Sequence, residues 1–211
     1  MKKIMISGLI ILSVFLIYLC TLDKKVYYLT LGENYSYSKY VKDYLKEKGV
    51  LEIYVDEYSK NDLKITDLIN DINNNKTIVK DNKEITIKNA LVKADLITLS
   101  FSKKDVLSRV NSNVYDYIDD MASDLDKLLK LLREYCKEDI ILIGFYNGNK
   151  KDIFEYLNNK FKDKSNNYNV KYIDVQKKFN GYPDFKDDTI YGQNMIASQI
   201  INVVDKKMFK G

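Results

Sequence analysis

Two rhythms of apolar and polar positions alternate along this chain. Val26-Tyr-Tyr-Leu-Thr-Leu31 is a short, almost unbroken apolar run, rich in β-branched and aromatic residues and closed by Gly32. That is the pattern of a strand covered on both faces, as in the middle of a parallel sheet. Leu51–Val55, Asp95–Phe101, Ile140–Phe145 and Val170–Val175 read as further strands. Between these runs the apolar spacing changes to three and four, which predicts helices. Ser36–Lys48 places Tyr37, Tyr40, Val41 and Tyr44 on one face and stops at Gly49; Lys64–Asn73 does the same with Ile65, Leu68, Ile69 and Ile72. Val114–Tyr135, Lys151–Phe161 and Gln193–Met208 follow, the last with Ile196, Ile200, Val203 and Val204 inward. Lys76–Ile87 predicts a hairpin around Asp81-Asn82, and Ala90 falls in a short helix after it. Strand and helix alternate five times. With right-handed crossovers this predicts a three-layer α/β/α sandwich on a five-stranded parallel sheet, one domain over 26–211.

Residues 1–25 follow a different rule. Lys2 and Lys3 precede an uncharged apolar run, Ile4–Leu22, of 19 residues. As a helix it would span about 28 Å, close to a bilayer core. No small-residue cleavage site follows it, and Leu19 is too large for Ile17-Tyr-Leu-Cys20 to match a lipoprotein box. A buried core helix is the alternative, against which stand its apolar character on all faces and its place at the start of the chain. The segment therefore reads as a single-pass signal anchor, with the membrane as partner and the domain on the extracytoplasmic side.

Composition narrows the chemistry by exclusion. The 211 residues carry a formal net charge of +4, two of those charges from Lys2 and Lys3. The rest gives no footprint for nucleic acid. The chain has no His, which removes a His general base, any His-containing triad and His metal ligands. Cys20 and Cys136 imply no disulfide framework. No glycine-rich loop follows the first strand to cradle a phosphate. No cofactor and no metal site is expected.

In open α/β sheets, chemistry sits where a central strand ends, here at Gly32, Glu33 and Asn34. The opening Tyr28-Leu-Thr-Leu-Gly-Glu-Asn34 resembles the first block of the SGNH (GDSL) hydrolases, which usually reads Leu-Gly-Asp-Ser with the serine as nucleophile. The likeness runs in order over nearly all of residues 26–205. Tyr58–Leu68 resembles the second block, with Asp62 where a glycine N–H serves the oxyanion. Ala94–Asp105 resembles the third, normally Gly-x-Asn-Asp, with Ser102 at the glycine, Lys104 at the oxyanion-hole asparagine, and Asp105 matching. Asp184–Ala197 resembles the fourth, normally Asp-x-x-His, and counting back from Gly192 and Ala197 puts Asp187 at the histidine. The resemblance implies a flavodoxin-like SGNH-hydrolase fold and an acyl-hydrolase ancestry.

The residues argue against the reaction. In that family a serine attacks, a histidine takes its proton and an aspartate orients the histidine. Asn34 is neither nucleophile nor base, and Asp187 supplies no imidazole. The reading is a catalytically inactive domain whose rim, Glu33, Asn34, Asp62, Ser102, Lys104 and Asp105, binds an envelope glycan, a lipid or a protein. Two alternatives stay open: an active esterase using non-standard groups, and a structural assembly subunit. Three further expectations concern particular side chains. Ser102 beside Lys103 and Lys104 offers a Ser-Lys dyad, against which stands their adjacency on a turn. Glu33, Asp62, Asp105 and Asp187 offer a carboxylate cluster, against which stands ordinary solvation of loop charges. Tyr27, Tyr28, Tyr37, Tyr40 and Tyr44 offer sugar stacking, against which stands a place in the core. Ser36 and Asp67 read as a helix start and a surface charge.

Overall fold

The structure is a computed structural model that describes residues 25–182 and 185–208. The expected anchor, apart from Lys25, and Asp184 at the head of the fourth block lie outside the described residues. No helix among the described residues is long and apolar enough to cross a membrane.

Strands β1 (Val26–Gly32), β2 (Leu51–Val55), β5 (Leu96–Ser100), β6 (Asp139–Ile143) and β7 (Lys171–Ile173) form one sheet in the order β2-β1-β5-β6-β7. Every pairing in it is parallel. β1 and β5 are buried at every position, which is why both read as near-continuous apolar runs. Alternation along β1 divides the core. Tyr27, Leu29 and Leu31 face one layer, made by α2 (Ile65–Asn73), α3 (Ile87–Lys93), α5 (Val114–Tyr135) and α6 (Lys151–Asn167). Val26 and Tyr28 face the other, made by α1 (Tyr37–Glu47), α7 (Val175–Phe179) and α8 (Ile190–Met208). Truncating Leu29 or Leu31, both fully buried, to Ala costs about 2–5 kcal/mol on general grounds.

The sandwich and its five parallel strands agree with the sequence reading, and most boundaries fall within two residues of it. Four differences stand out, the first two with a local cause. α6 continues to Asn167, because Ser165 is buried and its hydroxyl bonds back to Phe161 O at 2.8 Å. β7 stops at Ile173, because Asp174 caps α7 by accepting from Lys177 N at 2.8 Å. A further short helix, α4 (Lys104–Ser108), opens in the loop after β5. α8 begins at Ile190 rather than Gln193. The hairpin, β3 (Thr77–Lys80) with β4 (Lys83–Thr86), turns at Asp81 and Asn82, both with positive φ as a tight hairpin needs.

Candidate functional site

β1 ends at Gly32, where φ is +92° and an added Cβ would stand 1.9 Å from Ser100 O. Only glycine lets the chain turn here while its backbone lies against β5. Glu33 N then donates to Ser100 O at 2.8 Å, and Lys60 N donates to Gly32 O at 2.9 Å. The buried Ser100 hydroxyl accepts from Tyr37 OH at 2.9 Å and donates to Glu33 O at 3.2 Å. The turn is thereby held by β5, by the loop after β2 and by α1. Asn34 stands exposed on it.

Two polar clusters flank this turn. In the first, Asp62 adopts φ +58°, a left-handed conformation uncommon for a residue with a Cβ. Its backbone N–H donates to Glu33 Oε2 at 2.7 Å. Its carboxylate accepts from Ser102 Oγ at 3.1 Å and from Lys104 Nζ at 2.7 Å. Lys104 N in turn donates to Ser102 Oγ at 3.3 Å. Four of the six expected rim residues thus share one network. The Lys104 ammonium and the Ser102 hydroxyl hold the Asp62 carboxyl below its ordinary range, and Asp62 raises Lys104. Burial pushes the Glu33 carboxyl up, while the Asp62 amide and Lys104 restrain the rise.

The second cluster is more enclosed. Lys103 Nζ donates to Asp187 Oδ1 at 2.5 Å and to Tyr146 O at 3.1 Å. Burial pushes the Asp187 carboxyl above its ordinary range, and Lys103 holds the rise back. Gln193 fixes the loop that carries it: its Nε2 donates to Asp187 O, and its Oε1 accepts from Tyr37 N at 2.9 Å. Gly192 allows the start of α8 to lie flush on this loop, since a Cβ there would stand 1.8 Å from Lys186 O. Burial, with the Asp187 and Glu33 carboxylates nearby, drives the Tyr35 phenol far above its usual range.

Three groupings that the sequence left open are not found among the described residues. Asp105 joins neither cluster: it accepts from Tyr117 OH at 3.2 Å and faces Lys64 Nζ at 3.6 Å. Among the described residues, no group of His, Cys, Asp and Glu is placed to hold a metal ion. No Ser-Lys dyad forms, because both lysine ammoniums are committed to aspartates and the Ser102 hydroxyl donates to Asp62, the carboxylate that also holds Lys104. The tyrosines are not a stacking platform. Tyr27, Tyr28 and Tyr37 are core, with Tyr28 OH bonded to Thr98 Oγ1 at 2.9 Å, and Tyr40 and Tyr44 pack partly buried against the same core. Ser36 sits at the start of α1 without a capping hydrogen bond. Asp67, expected as a surface charge, accepts from Lys64 N at 3.2 Å and so closes the first turn of α2.

An oxyanion hole needs free donors aimed at the place where negative charge develops. Here the Asp62 amide already serves a carboxylate. An incoming carbonyl oxygen would meet the negative Glu33 side chain and a donor already used. Lys104, the other donor expected at this place, is paired with Asp62. On the opposite flank an enclosed ion pair takes the space beside Tyr35. It contains no imidazole, and its carboxylate is already engaged by Lys103.

Sequence reasoning missed Gln193, Tyr35 and Ser100, and weighed Lys103 and Tyr37 for other roles. Lys103 and Lys104 are indistinguishable in sequence, and only the entry into α4 sends them apart. Gln193 carried one usable signal, an amide next to Gly192 at the head of the last helix.

No family model matches the chain, and no curated protein sequence does. Solved structures do match its fold. A lipase from a goat rumen metagenome superposes with TM-score 0.65 at 15% identity, covering 83% of this chain and 95% of that one. An acetyl-xylooligosaccharide esterase from a Geobacillus gives 0.65 at 15% identity over 86% and 94%. A member of the lipolytic G-D-S-L family from Veillonella parvula gives 0.56 at 13% identity over 83% and 96%. At these identities the likeness is one of fold, and that fold is the SGNH/GDSL-hydrolase sandwich.

Proposed function

We propose that this protein is a membrane-anchored, extracytoplasmic domain that uses an acyl-hydrolase frame to bind, without cleaving, a component of the cell envelope. One observation carries the proposal: the Glu33 carboxylate sits on the Asp62 amide at 2.7 Å, so the donor that would stabilise an oxyanion is closed from within. The Asn34 amide at the turn is no nucleophile, and the Asp187 carboxylate beside it is engaged by Lys103.

The tether narrows the ligand. Only Asp23, Lys24 and Lys25 separate the apolar run from Val26 at the start of β1. The clusters stand at the other end of β1, roughly 20 Å along a seven-residue strand. An anchored domain would hold them away from its own bilayer, within reach of a glycan or protein and out of reach of the lipid around the anchor. Of these a glycan is favoured, since one protein of the same fold is an acetyl-xylooligosaccharide esterase.

The full-length chain is expected to leave short-chain nitrophenyl acyl esters unhydrolysed and to co-sediment with insoluble envelope polysaccharide in preference to lipid vesicles. Ester turnover abolished by Asn34→Ala would overturn the proposal.

A further inference from the structure

A cavity of about 320 Å³ lies beside the first cluster, between the loop after β2, the loop after β5 and one face of α5. Its size is at the small end for ligand sites, suited to a compact molecule. Leu63, Ile65, Phe101 and Met121 give it an apolar floor, and most of the remaining wall is charged.

Most of those charges already have partners. Asp62 holds Lys104 at 2.7 Å, Asp105 faces Lys64 at 3.6 Å, and Asp124 holds Lys127 at 2.8 Å. Two remain. The Arg109 guanidinium stacks on the Tyr117 ring, 4.4 Å from its centroid, and makes no side-chain hydrogen bond or ion pair among the described residues. Stacking engages the flat face and leaves the N–H edge free for a bidentate oxyanion. Asp120, one helical turn on from Tyr117, is exposed and likewise has no hydrogen bond or ion pair among the described residues. The Tyr117 side chain is itself fixed by its bond to Asp105, so Arg109 rests on an ordered platform.

We infer that this cavity binds a small zwitterion, its carboxylate or phosphate on Arg109 and its ammonium on Asp120. Arg109 at the end of α4 and Asp120 on α5, the latter facing only the shared Lys127 and neither in an ion pair among the described residues, discriminate by sign at both ends of a ligand. A dianion meets Asp120, a dication meets Arg109, and a neutral sugar leaves both charges unpaired. The inference rests on the binding reading above and specifies a substituent that an envelope polymer would carry.

Isothermal titration of the full-length chain tests it with two zwitterions, glycylglycine and O-phosphoethanolamine, against succinate, putrescine and glucose. At least one zwitterion is expected to bind, and which one identifies the oxyanion as carboxylate or phosphate. Arg109→Gln and Asp120→Asn should each weaken binding about tenfold or more. Both residues are exposed, and unchanged thermal midpoints would show that the variants are folded. Binding of neither zwitterion, equal binding of a control, or indifference to both substitutions would overturn the inference. Polysaccharide co-sedimentation is read separately, so it can survive that failure. Equally, ester turnover would remove the functional proposal and leave zwitterion binding standing.

Discussion

Lys103 and Lys104 are neighbours in the chain, and each ends on an aspartate. Beyond that they have little in common. The Lys104–Asp62 pair is open to water, with side chains 69% and 52% exposed; the Lys103–Asp187 pair is enclosed, at 21% and 12%. Water screens the first and weakens its attraction. The second has given up much of its hydration and depends on its partner to offset that loss. The same two residue types therefore do different work on the two flanks of one turn. The exposed pair arranges the rim around Glu33, while the enclosed pair, with Gln193, pins the loop before α8 to the sheet.

Substitutions separate the two. Asp187→Ala strands a lysine ammonium in a mostly buried place, and a loss of about 3–5 kcal/mol is expected in urea denaturation. The double change Lys103→Met, Asp187→Leu removes both charges and should recover most of it. Failure of the double variant to recover would mean that the pair contributes chiefly by its geometry.

The pH dependence of the two flanks should differ in sign. Burial raises Asp187, so the folded chain holds that proton more tightly than the unfolded one. Its contribution is full below the unfolded carboxylate pKa and is lost as pH rises through the folded value. Asp62 is depressed by Lys104, so its contribution is present above the unfolded pKa and is lost as pH falls through the folded value. From below pH 3.8 upward, wild-type stability relative to Asp187→Asn should decline, and relative to Asp62→Asn it should increase. Slopes of one sign in denaturation midpoints would contradict the contrast.

The smallest effect belongs to the exposed pair. Asp62→Ala and Lys104→Ala should barely move the denaturation midpoint, and added salt should erase what difference remains. A large loss from either would show that the rim network also supports the fold.

Much of the frame was legible because burial imposes a period. A strand covered on both faces must be apolar throughout, as β1 and β5 are, and a helix on a sheet must repeat its apolar positions every three to four residues, as α2 does with Ile65, Leu68 and Ile72. The rim was legible only as a set of positions. Glu33, Asp62, Ser102 and Lys104 were expected near one another, yet nothing in their order said that Glu33 would cover the Asp62 amide. Asp105 was expected with them and turned instead to Tyr117. Loop side chains have no period to constrain them, and their partners come from segments up to 84 residues away, as for Lys103 and Asp187.

The order of residues by itself determined a parallel sheet between two helical layers, a turn at Gly32, and the lack of any imidazole. These follow from local burial, local sterics and composition. Tertiary structure decided which lysine met which aspartate, that a carboxylate would occupy the free amide, and that Arg109 and Asp120 would be left facing a common cavity. Those outcomes are set by where separate loops converge at the end of the sheet, because charge pairing depends on distance in space and on access of water, neither of which is written along the chain.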